Sequence, residues 1–368
     1  MGYYFLVSLA SPFLCSVFTA CLNSLGGISF YSGRSGWCCD SVISYEIVLP
    51  SGQVTNVDMK SHPDLFWALR GAGSSNFGII TSFVLAAIEL PNPRGLWAGV
   101  KAYSRENVPQ LLDDMHGFWT KSQAEDKDIA GINFYRYTAE QNNFTLATLR
   151  YHATHDDPNS WPQSISQHHT AETIPGTSNS FITQIAPYCA SLAQGFQGGR
   201  RNIWFTLTYR PSREFERHLY AIFEEEAPKL KDVEGFRVGI STQLAPRSVG
   251  LTPANKGSVN CLGLTGETGP LVIIVYSWSY SKPTDHQMVE ETAHRCVDRI
   301  EAKAKDFGVW HPFRYINYAD EKFQAKQVWD GYGHENATKL RRIQREVDPT
   351  GVFTNGGLAS GYFKLNKL

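Results

Sequence analysis

Two glycine-rich segments near the start of the chain constrain its fold more than any other feature. Gly26-Gly-Ile-Ser-Phe-Tyr-Ser-Gly33-Arg-Ser-Gly36 places four glycines in eleven residues immediately before a strand-like run. A second segment, Gly71-Ala-Gly73-Ser-Ser-Asn76-Phe-Gly78, follows in the same region. Glycine permits tight turns and close approach of the backbone to a ligand, and successive N–H groups in such turns bind anions. The two segments indicate either two tight turns or two borders of one ligand site. A pyrophosphate is an anion of suitable size for such a site.

Several common catalytic and nucleotide-binding motifs are excluded. The second glycine segment has Asn76 where a dinucleotide fingerprint needs glycine, and a helical pattern precedes it where a strand is required. No Lys-Ser/Thr follows it, so it is not a P-loop, and the chain has neither a Gly-x-Ser-x-Gly elbow nor a His-Glu-x-x-His helix. His152 to Asp157 contains metal-binding residue types, but we interpret it as a solvated turn and predict no metal site.

The first ninety residues predict short elements. Residues 44–49 and 53–57 flank the turn Pro50-Ser-Gly52, which is typical of a β-hairpin. Residues 62–70 have a proline, Pro63, near their start and end before Gly71, as helices do. The run from Phe77 to Leu90 is rich in β-branched and aromatic residues and predicts a strand.

Longer elements begin at about residue 91 and predict an α+β architecture. Strands are predicted over residues 129–137, 144–152, 203–209, 236–244 and 271–280, and helices over residues 104–118, 212–227 and 283–306. This order favours an antiparallel sheet with helices packed on one face. Residues 156–199 are rich in Pro, Ser, Gln and Gly and predict a long surface excursion, whereas residues 313–318 predict an aromatic strand.

Composition excludes two broad classes of function. The 368 residues include 34 Lys plus Arg and 35 Asp plus Glu, so there is no basic field for nucleic acid. Beyond residue 25 no apolar run approaches the ~18 residues that a membrane span requires. We therefore expect neither a nucleic-acid partner nor a stable membrane span.

The first 25 residues carry no charged side chain and have two interpretations. The apolar run resembles a signal-peptide core, although it lacks a basic start and contains Pro12. Together with the sequons at Asn143 and Asn336, it predicts a secreted glycoprotein. The alternatives are a buried strand or a misassigned exon, and without a signal the location would be cytoplasmic.

A third candidate site lies in Arg314-Tyr-Ile-Asn-Tyr-Ala-Asp320. Its tyrosines are either ordinary aromatics of a strand or part of an active site. A phenol acts as a general base only when neighbouring charge or hydrogen bonds lower its pKa from about 10.

Taken together, these segments resemble the berberine bridge enzyme-like FAD-linked oxidases of the vanillyl-alcohol oxidase superfamily. The resemblance is carried by the segment from Leu25 to Gly36, by Asp40-Ser-Val42, by Ser44 to Gly52, by Pro63 to Gly71, by Asn76 to Thr81 and by Tyr315 to Asp320. Each piece alone is common, but their order and spacing are similar to the family from about residue 25 to residue 356.

The resemblance implies a two-domain flavin oxidase fold. A split FAD-binding domain of the PCMH type would comprise residues 26–90 and 311–368, residues 91–310 would form the substrate domain, and residues 1–25 would be an apolar segment. The implied reaction transfers hydride from an alcohol or an activated C–H of a small molecule, such as a secondary metabolite, to flavin N5. Oxygen is the implied electron acceptor.

The resemblance also assigns site residues. Tyr318 would be the catalytic base, with Tyr315 as the alternative. The implied FAD contacts are Gly26, Gly27, Gly33, Gly36, Val42, Gly73, Asn76, Gly78, Ile80 and Asn317. Strand residues that are candidates for the substrate pocket are Tyr135, Tyr137, Trp204, Tyr209, Gln243, Tyr276 and Trp278, of which strand alternation places about half in the core.

The chain departs from the family pattern in one important respect. The family has a further FAD subdomain ahead of the region matching residue 25, including the residues that tether the flavin covalently, and this sequence has an apolar segment there. Ser41, Ala72, Ser74 and Ser75 also differ from the usual pattern. The alternatives to an active oxidoreductase are therefore an inactive truncated relative that acts as a binding protein, or a secreted glycoprotein that binds or oxidises carbohydrate.

Overall fold

The computed structural model describes residues 24–73, 75–87, 89–193, 198–246, 260–264, 269–354 and 363–365. The apolar segment on which the signal prediction depends lies almost entirely outside these residues. No helix within the described ranges has the length and apolar character needed to cross a membrane.

Eleven strands form two sheets in the described part of the chain. The strands are β1 (Val42–Val48), β2 (Val54–Val57), β3 (Ile79–Leu85), β4 (Leu96–Tyr103), β5 (Ile129–Thr138), β6 (Asn143–His152), β7 (Asn179–Thr183), β8 (Arg201–Tyr209), β9 (Arg237–Leu244), β10 (Val272–Tyr280) and β11 (Trp310–His311). The first three form one sheet in the order β2-β1-β3. The others form a sheet in the order β11-β8-β10-β9-β5-β6-β4-β7.

The small sheet confirms the predicted hairpin. Strands β1 and β2 pair in antiparallel register from Tyr45 opposite Val57 to Val48 opposite Val54. Strand β3, predicted over Phe77 to Leu90, covers its central part and pairs with the other edge of β1.

The large sheet confirms the prediction of an antiparallel sheet flanked by helices, and all of its neighbouring strands are antiparallel. The helices are α1 (Ser32–Ser35), α2 (Pro63–Ala72), α3 (Val108–Gly117), α4 (Gln123–Glu125), α5 (Gln163–Ser166), α6 (Ile185–Ala193), α7 (Arg213–Glu226), α8 (His286–Asp306), α9 (Glu321–Gly331) and α10 (His334–Val347). Leu219 of α7 and Val289 of α8 share one buried cluster with Phe205 of the sheet. These two helices cover one face of the sheet because both present an apolar stripe to it.

The prediction of a strand over residues 313–318 was wrong. Residues Ile316–Tyr318 form a 3₁₀ turn that begins after the extended Tyr315. Asn317 and Tyr318 therefore lie in a turn and not on a strand. The apolar and aromatic composition of the segment reflects its burial, since Phe313, Tyr315 and Ile316 are nearly inaccessible to solvent.

The excursion predicted over residues 156–199 is more ordered than expected. It contains the edge strand β7, which pairs with β4 from Leu96 opposite Thr183 to Val100 opposite Asn179, and it also contains α6. Strand β4 itself was not predicted. The edge strand β7 (Asn-Ser-Phe-Ile-Thr) is too short and too polar to show the alternating apolar pattern on which strand prediction depends.

A buried carboxyl group lies between α7 and the large sheet. Glu216 is fully buried, and the Tyr209 hydroxyl donates a hydrogen bond of 2.9 Å to its Oε1. Its Oε2 has no hydrogen-bond partner among the described residues. Burial raises the pKa of Glu216 to about 8, although Tyr209 and Arg213 act in the opposite direction. The fold therefore favours the protonated form of this side chain.

We predict that Glu216 makes the folded state less stable as pH rises. The pKa of the carboxyl is higher in the folded chain than its ordinary value of 4.5. Its stabilising contribution is thus complete below the unfolded pKa and lost as pH rises through the folded pKa, with a slope of at most about 1.4 kcal/mol per pH unit. Urea unfolding across this pH range should show Glu216→Gln with a shallower pH dependence than the wild type. Glu214→Gln, on the exposed side of the same helix, should keep the wild-type slope. Equal slopes for Glu216→Gln and wild type would contradict the prediction.

Candidate functional site

The Tyr315 hydroxyl joins the first glycine segment to the C-terminal part of the chain. It accepts hydrogen bonds from the Gly27 N–H at 3.0 Å and from Asn317 Nδ2 at 2.8 Å. Gly26 packs tightly against two aromatic rings, because a Cβ at that position would lie 3.1 Å from the Trp37 ring and 3.3 Å from the Tyr315 ring. Its positive φ of 101° also favours glycine. The structure thus brings together four of the predicted site residues: Gly26, Gly27, Tyr315 and Asn317.

The second glycine segment meets the same junction from another side. The Gly73 N–H donates to the Ser24 carbonyl at 2.9 Å, and Asn317 Nδ2 donates to the Leu25 carbonyl at 3.2 Å. A Cβ on Gly73 would come within 2.5 Å of the Leu25 side chain. We name residues 24–27, with the contacts they make to Gly73, Tyr315 and Asn317, the glycine junction.

The other predicted glycines pack against protein atoms. A Cβ on Gly33 would lie 2.3 Å from the Lys127 carbonyl oxygen, and one on Gly78 would lie 2.5 Å from the Val48 carbonyl oxygen. Gly36 follows α1 with φ of 72°, and its N–H donates to the Ser32 carbonyl. Close packing explains why Gly33 and Gly78 lack side chains, and the positive φ explains the glycine at position 36.

Three further residues that were predicted to contact FAD make no hydrogen bond to Tyr315 or Tyr318 among the described residues. Asn76 is fully buried; its Nδ2 donates to the Phe363 carbonyl at 3.0 Å, and its Oδ1 accepts from the Leu365 N–H at 2.9 Å. Val42 is buried at the start of β1, and Ile80 is half-buried on β3. The described structure thus uses Asn76 to hold the C-terminal residues.

Tyr318 lies beside the glycine junction. Its ring meets that of Tyr315 edge-on, with 4.8 Å between the centroids, and Gln243 Nε2 donates a hydrogen bond of 2.7 Å to its hydroxyl oxygen. Burial raises the pKa of Tyr318 to about 12, and the bond from Gln243 acts in the opposite direction. Burial also raises the pKa of Tyr315 well above 10. Both phenols are therefore protonated near neutral pH.

Two cavities meet at Tyr318, and Ile132 and Gln243 also line both. The first, which we name the ring cavity, encloses about 580 Å³ including the solvent space at its opening. It lies between residues 28–32 and the large sheet.

The second cavity, the sheet-face pocket, lies on the face of the large sheet opposite α7 and α8. It encloses about 1330 Å³ including the solvent space at its opening. Among the predicted lining residues, Trp204 and Gln243 border this pocket, and Tyr135 contributes to its wall from the core side. Tyr137, Tyr209, Tyr276 and Trp278 belong to the helix-side core. The division follows from strand alternation, since neighbouring residues face opposite sides.

Sequence reasoning missed Arg136 as a pocket residue. Arg136 lies on the same strand face as Ile132 and Phe134, and all three border the sheet-face pocket. The period-two pattern of β5 contained this signal, because a charged residue alternating with buried tyrosines must lie on the open face.

The flavin implied by the sequence resemblance fits one part of this site. The ring cavity has apolar walls at Ile28, Phe30 and Leu244, with the polar groups of Gln243 and Tyr318 at one side. Such a lining suits a flat aromatic ring with polar edges. The N–H groups of Gly27 and Gly73, in contrast, already donate to Tyr315 and Ser24. The lining of the ring cavity therefore has the apolar and polar character that a flavin ring requires, while the N–H groups of Gly27 and Gly73 are engaged within the protein.

We predict that Tyr315→Phe destabilises the fold. The substitution leaves the buried Gly27 N–H without its acceptor and removes one of the two acceptors of the half-buried Asn317 Nδ2. Loss of an acceptor for buried polar groups costs about 1–3 kcal/mol, measurable as a lower free energy of unfolding in urea. Tyr318→Phe is the matched control, because its hydroxyl borders two cavities where water can replace it. The prediction fails if Tyr315→Phe is no less stable than Tyr318→Phe.

Comparison with known proteins identifies related sequences. Residues 314–356 match the family model described as "Berberine and berberine like". The chain is 30% identical over 92% of its length to "Oligopeptidase PhomG'" of Diaporthe leptostromiformis. It is 29% identical over 93% of its length to "FAD-dependent monooxygenase tpcD" of Cochliobolus heterostrophus. The chain spans 27% of the first relative and 65% of the second.

Solved structures share the fold at low sequence identity. The 6-hydroxy-D-nicotine oxidase of Arthrobacter nicotinovorans superposes with a TM-score of 0.70 at 20% identity, covering 94% of this chain and 72% of that one. The berberine bridge enzyme of Eschscholzia californica gives a TM-score of 0.67 at 13% identity, covering 94% and 70%. Residues 314–356 thus match the berberine bridge enzyme-like family model, and the chain shares the fold of berberine bridge enzyme-like flavin oxidases.

Proposed function

We propose that the protein is an FAD-linked oxidoreductase that oxidises an alcohol or activated C–H of a small molecule, with oxygen as the electron acceptor. The observation that carries the proposal is the position of Tyr318. Its hydroxyl, bonded to Gln243 at 2.7 Å, borders both the ring cavity and the sheet-face pocket. A flavin ring in the first cavity and a substrate in the second would both lie next to this phenol. The names of relatives such as the FAD-dependent monooxygenase tpcD support the cofactor.

The reaction needs both a hydride acceptor and a proton acceptor, because an alcohol carbon releases hydride readily only as its hydroxyl loses a proton. FAD, when bound, supplies the hydride acceptor. Tyr318 is the proposed proton acceptor, and Gln243 holds its oxygen in place. The ring of Tyr315, edge-on to that of Tyr318, restricts its orientation further.

The ionisation of Tyr318 determines how such a reaction responds to pH. Burial raises its pKa to about 12, and the amide of Gln243 is the contact that favours its charged form. A base must be deprotonated to accept a proton, so only a small fraction of the free protein is active at neutral pH. If Tyr318 is the base, kcat/KM therefore increases with pH across the alkaline range.

We predict that Tyr318→Phe abolishes substrate-dependent reduction of bound flavin. Loss of a general base lowers the rate by about 100-fold or more. The measurement is anaerobic bleaching of flavin absorbance with a panel of alcohols, compared between wild type and Tyr318→Phe at equal flavin content. The control is Tyr332→Phe, which removes a buried phenol that does not line either cavity. The Tyr332 hydroxyl donates to the Gly71 carbonyl.

Product mass distinguishes the proposed oxidation from oxygen insertion. Oxidation removes two hydrogens from the substrate, whereas a monooxygenase adds an oxygen atom.

Two results would refute Tyr318 as the base. One is a Tyr318→Phe protein that reduces flavin at the wild-type rate, and the other is a wild-type rate that does not increase with pH. A chain that binds no flavin under any condition tested would favour the binding-protein alternative.

Secretion also stays a proposal, and one of the two sequons is placed to accept a glycan. Asn143 is exposed at the start of β6, next to the turn that follows β5. Asn336 lies in α10 and its Nδ2 donates to the Cys261 carbonyl, so glycosylation there would break a hydrogen bond.

A further inference from the structure

The end of the sheet-face pocket remote from Tyr318 carries an excess of positive charge. Arg136 borders the pocket, and its guanidinium makes no hydrogen bond or ion pair with any described residue. Arg237 lies on the same face of the neighbouring strand, because Thr138 pairs with it and side chains two apart on a strand share a face. The two arginines are diagonal neighbours, for which the separation of Cα atoms is about 7–8 Å.

A third guanidinium joins this group. Ser279 pairs with Arg237, and Arg200 Nε donates a hydrogen bond of 2.8 Å to the Ser279 hydroxyl. Arg200 Nη2 and Arg237 Nε are both buried without a hydrogen-bond acceptor among the described residues. We name Arg136, Arg200 and Arg237 the arginine group.

Little negative charge balances the arginine group. Among the described residues it makes one ion pair, in which Glu140 Oε2 lies 3.6 Å from Arg237 Nη2, and the Glu140 side chain is 61% exposed. Exposed ion pairs at this distance contribute little. Burial lowers the pKa of Arg136, and repulsion from the nearby charge of Arg237 acts in the same direction. An anionic ligand would relieve this repulsion and satisfy the free donors.

The rest of the pocket is suited to an apolar body. Phe134, Leu149, Trp204 and Val275 contribute apolar side chains to its wall. Gly239 pairs with Arg136 on the neighbouring strand, and Gln243, the partner of Tyr318, lies four residues further along β9. At about 3.3 Å per residue, this spacing is roughly 13 Å. The pocket therefore has a cationic end, an apolar middle and a polar end at Tyr318.

We infer that the sheet-face pocket binds small-molecule carboxylic acids, with the carboxylate on Arg136 in the field of Arg200 and Arg237 and the apolar body against Trp204 and Phe134. A guanidinium suits a carboxylate because its paired N–H groups match the two oxygens. That the other end of the bound acid is oxidised at Tyr318 rests on the proposed function. That the pocket binds the acid does not rest on it.

The test measures binding without turnover. Naphthoate and naphthamide have the same apolar body and differ in charge, so calorimetric titration of the full chain with each isolates the contribution of the carboxylate. Wild type should bind naphthoate about tenfold or more tightly than naphthamide, the difference expected for a charge-assisted hydrogen bond. Raising the salt concentration should reduce this preference.

Arg136→Gln should remove the preference, whereas Arg136→Lys should retain part of it because the charge remains. Arg201→Gln is the matched control. Arg201 begins β8 at the same end of the sheet, but it pairs with Tyr280 of the helix-side core and therefore faces away from the pocket. It should keep the wild-type preference, and circular dichroism should show that all three variants are folded.

Three results would overturn the inference. They are equal affinities of wild type for both probes, an unchanged preference in folded Arg136→Gln, and no binding of either probe at millimolar concentration. None of them depends on flavin or on the base. Failure of carboxylate binding therefore leaves the role of Tyr318 open to its own test, and failure of flavin reduction does not affect the binding result.

Discussion

The arrangement of the site depends on one buried hydroxyl group. Tyr315 accepts hydrogen bonds from the Gly27 N–H and Asn317 Nδ2, joining residues that are 288 positions apart in the chain. Asn317 in turn donates to the Leu25 carbonyl, and Gly73 donates to Ser24. The two glycine segments and the C-terminal turn are therefore held as one unit. Because Tyr318 is three residues from Tyr315 and meets it edge-on, the same contacts fix the position of the proposed base.

The large sheet supplies the other half of the site through strand alternation. One face is buried under α7 and α8, and the opposite face forms the wall of the sheet-face pocket. Gln243 extends from this open face to the Tyr318 hydroxyl, and Arg136 lies on the same face further along the sheet. A single antiparallel sheet thus positions both the residue that orients the base and the charge that we propose binds an acidic substrate.

Local patterns predicted much of the fold, since the hairpin at 44–57 and most of the long strands depend on nearby residues. They could not predict the turn at Ile316–Tyr318, because the Tyr315 hydroxyl forms its bonds with residues far away in sequence. Resemblance to a family supplied the two tyrosines and the glycines. The grouping of Arg136 with Arg200 and Arg237 requires the order and register of three neighbouring strands, which no local pattern encodes.

Titration of the purified chain with FAD shows whether the ring cavity beside Tyr318 holds a flavin. Bound flavin is measured by its absorbance near ~450 nm after removal of free FAD by gel filtration. If the flavin lies there, binding is saturable, is lost in Ile28→Trp, which fills the cavity, and is retained in Val54→Trp, at an exposed position on β2. Absence of bound flavin at micromolar protein with excess FAD, or equal binding by Ile28→Trp, would contradict this placement of the flavin.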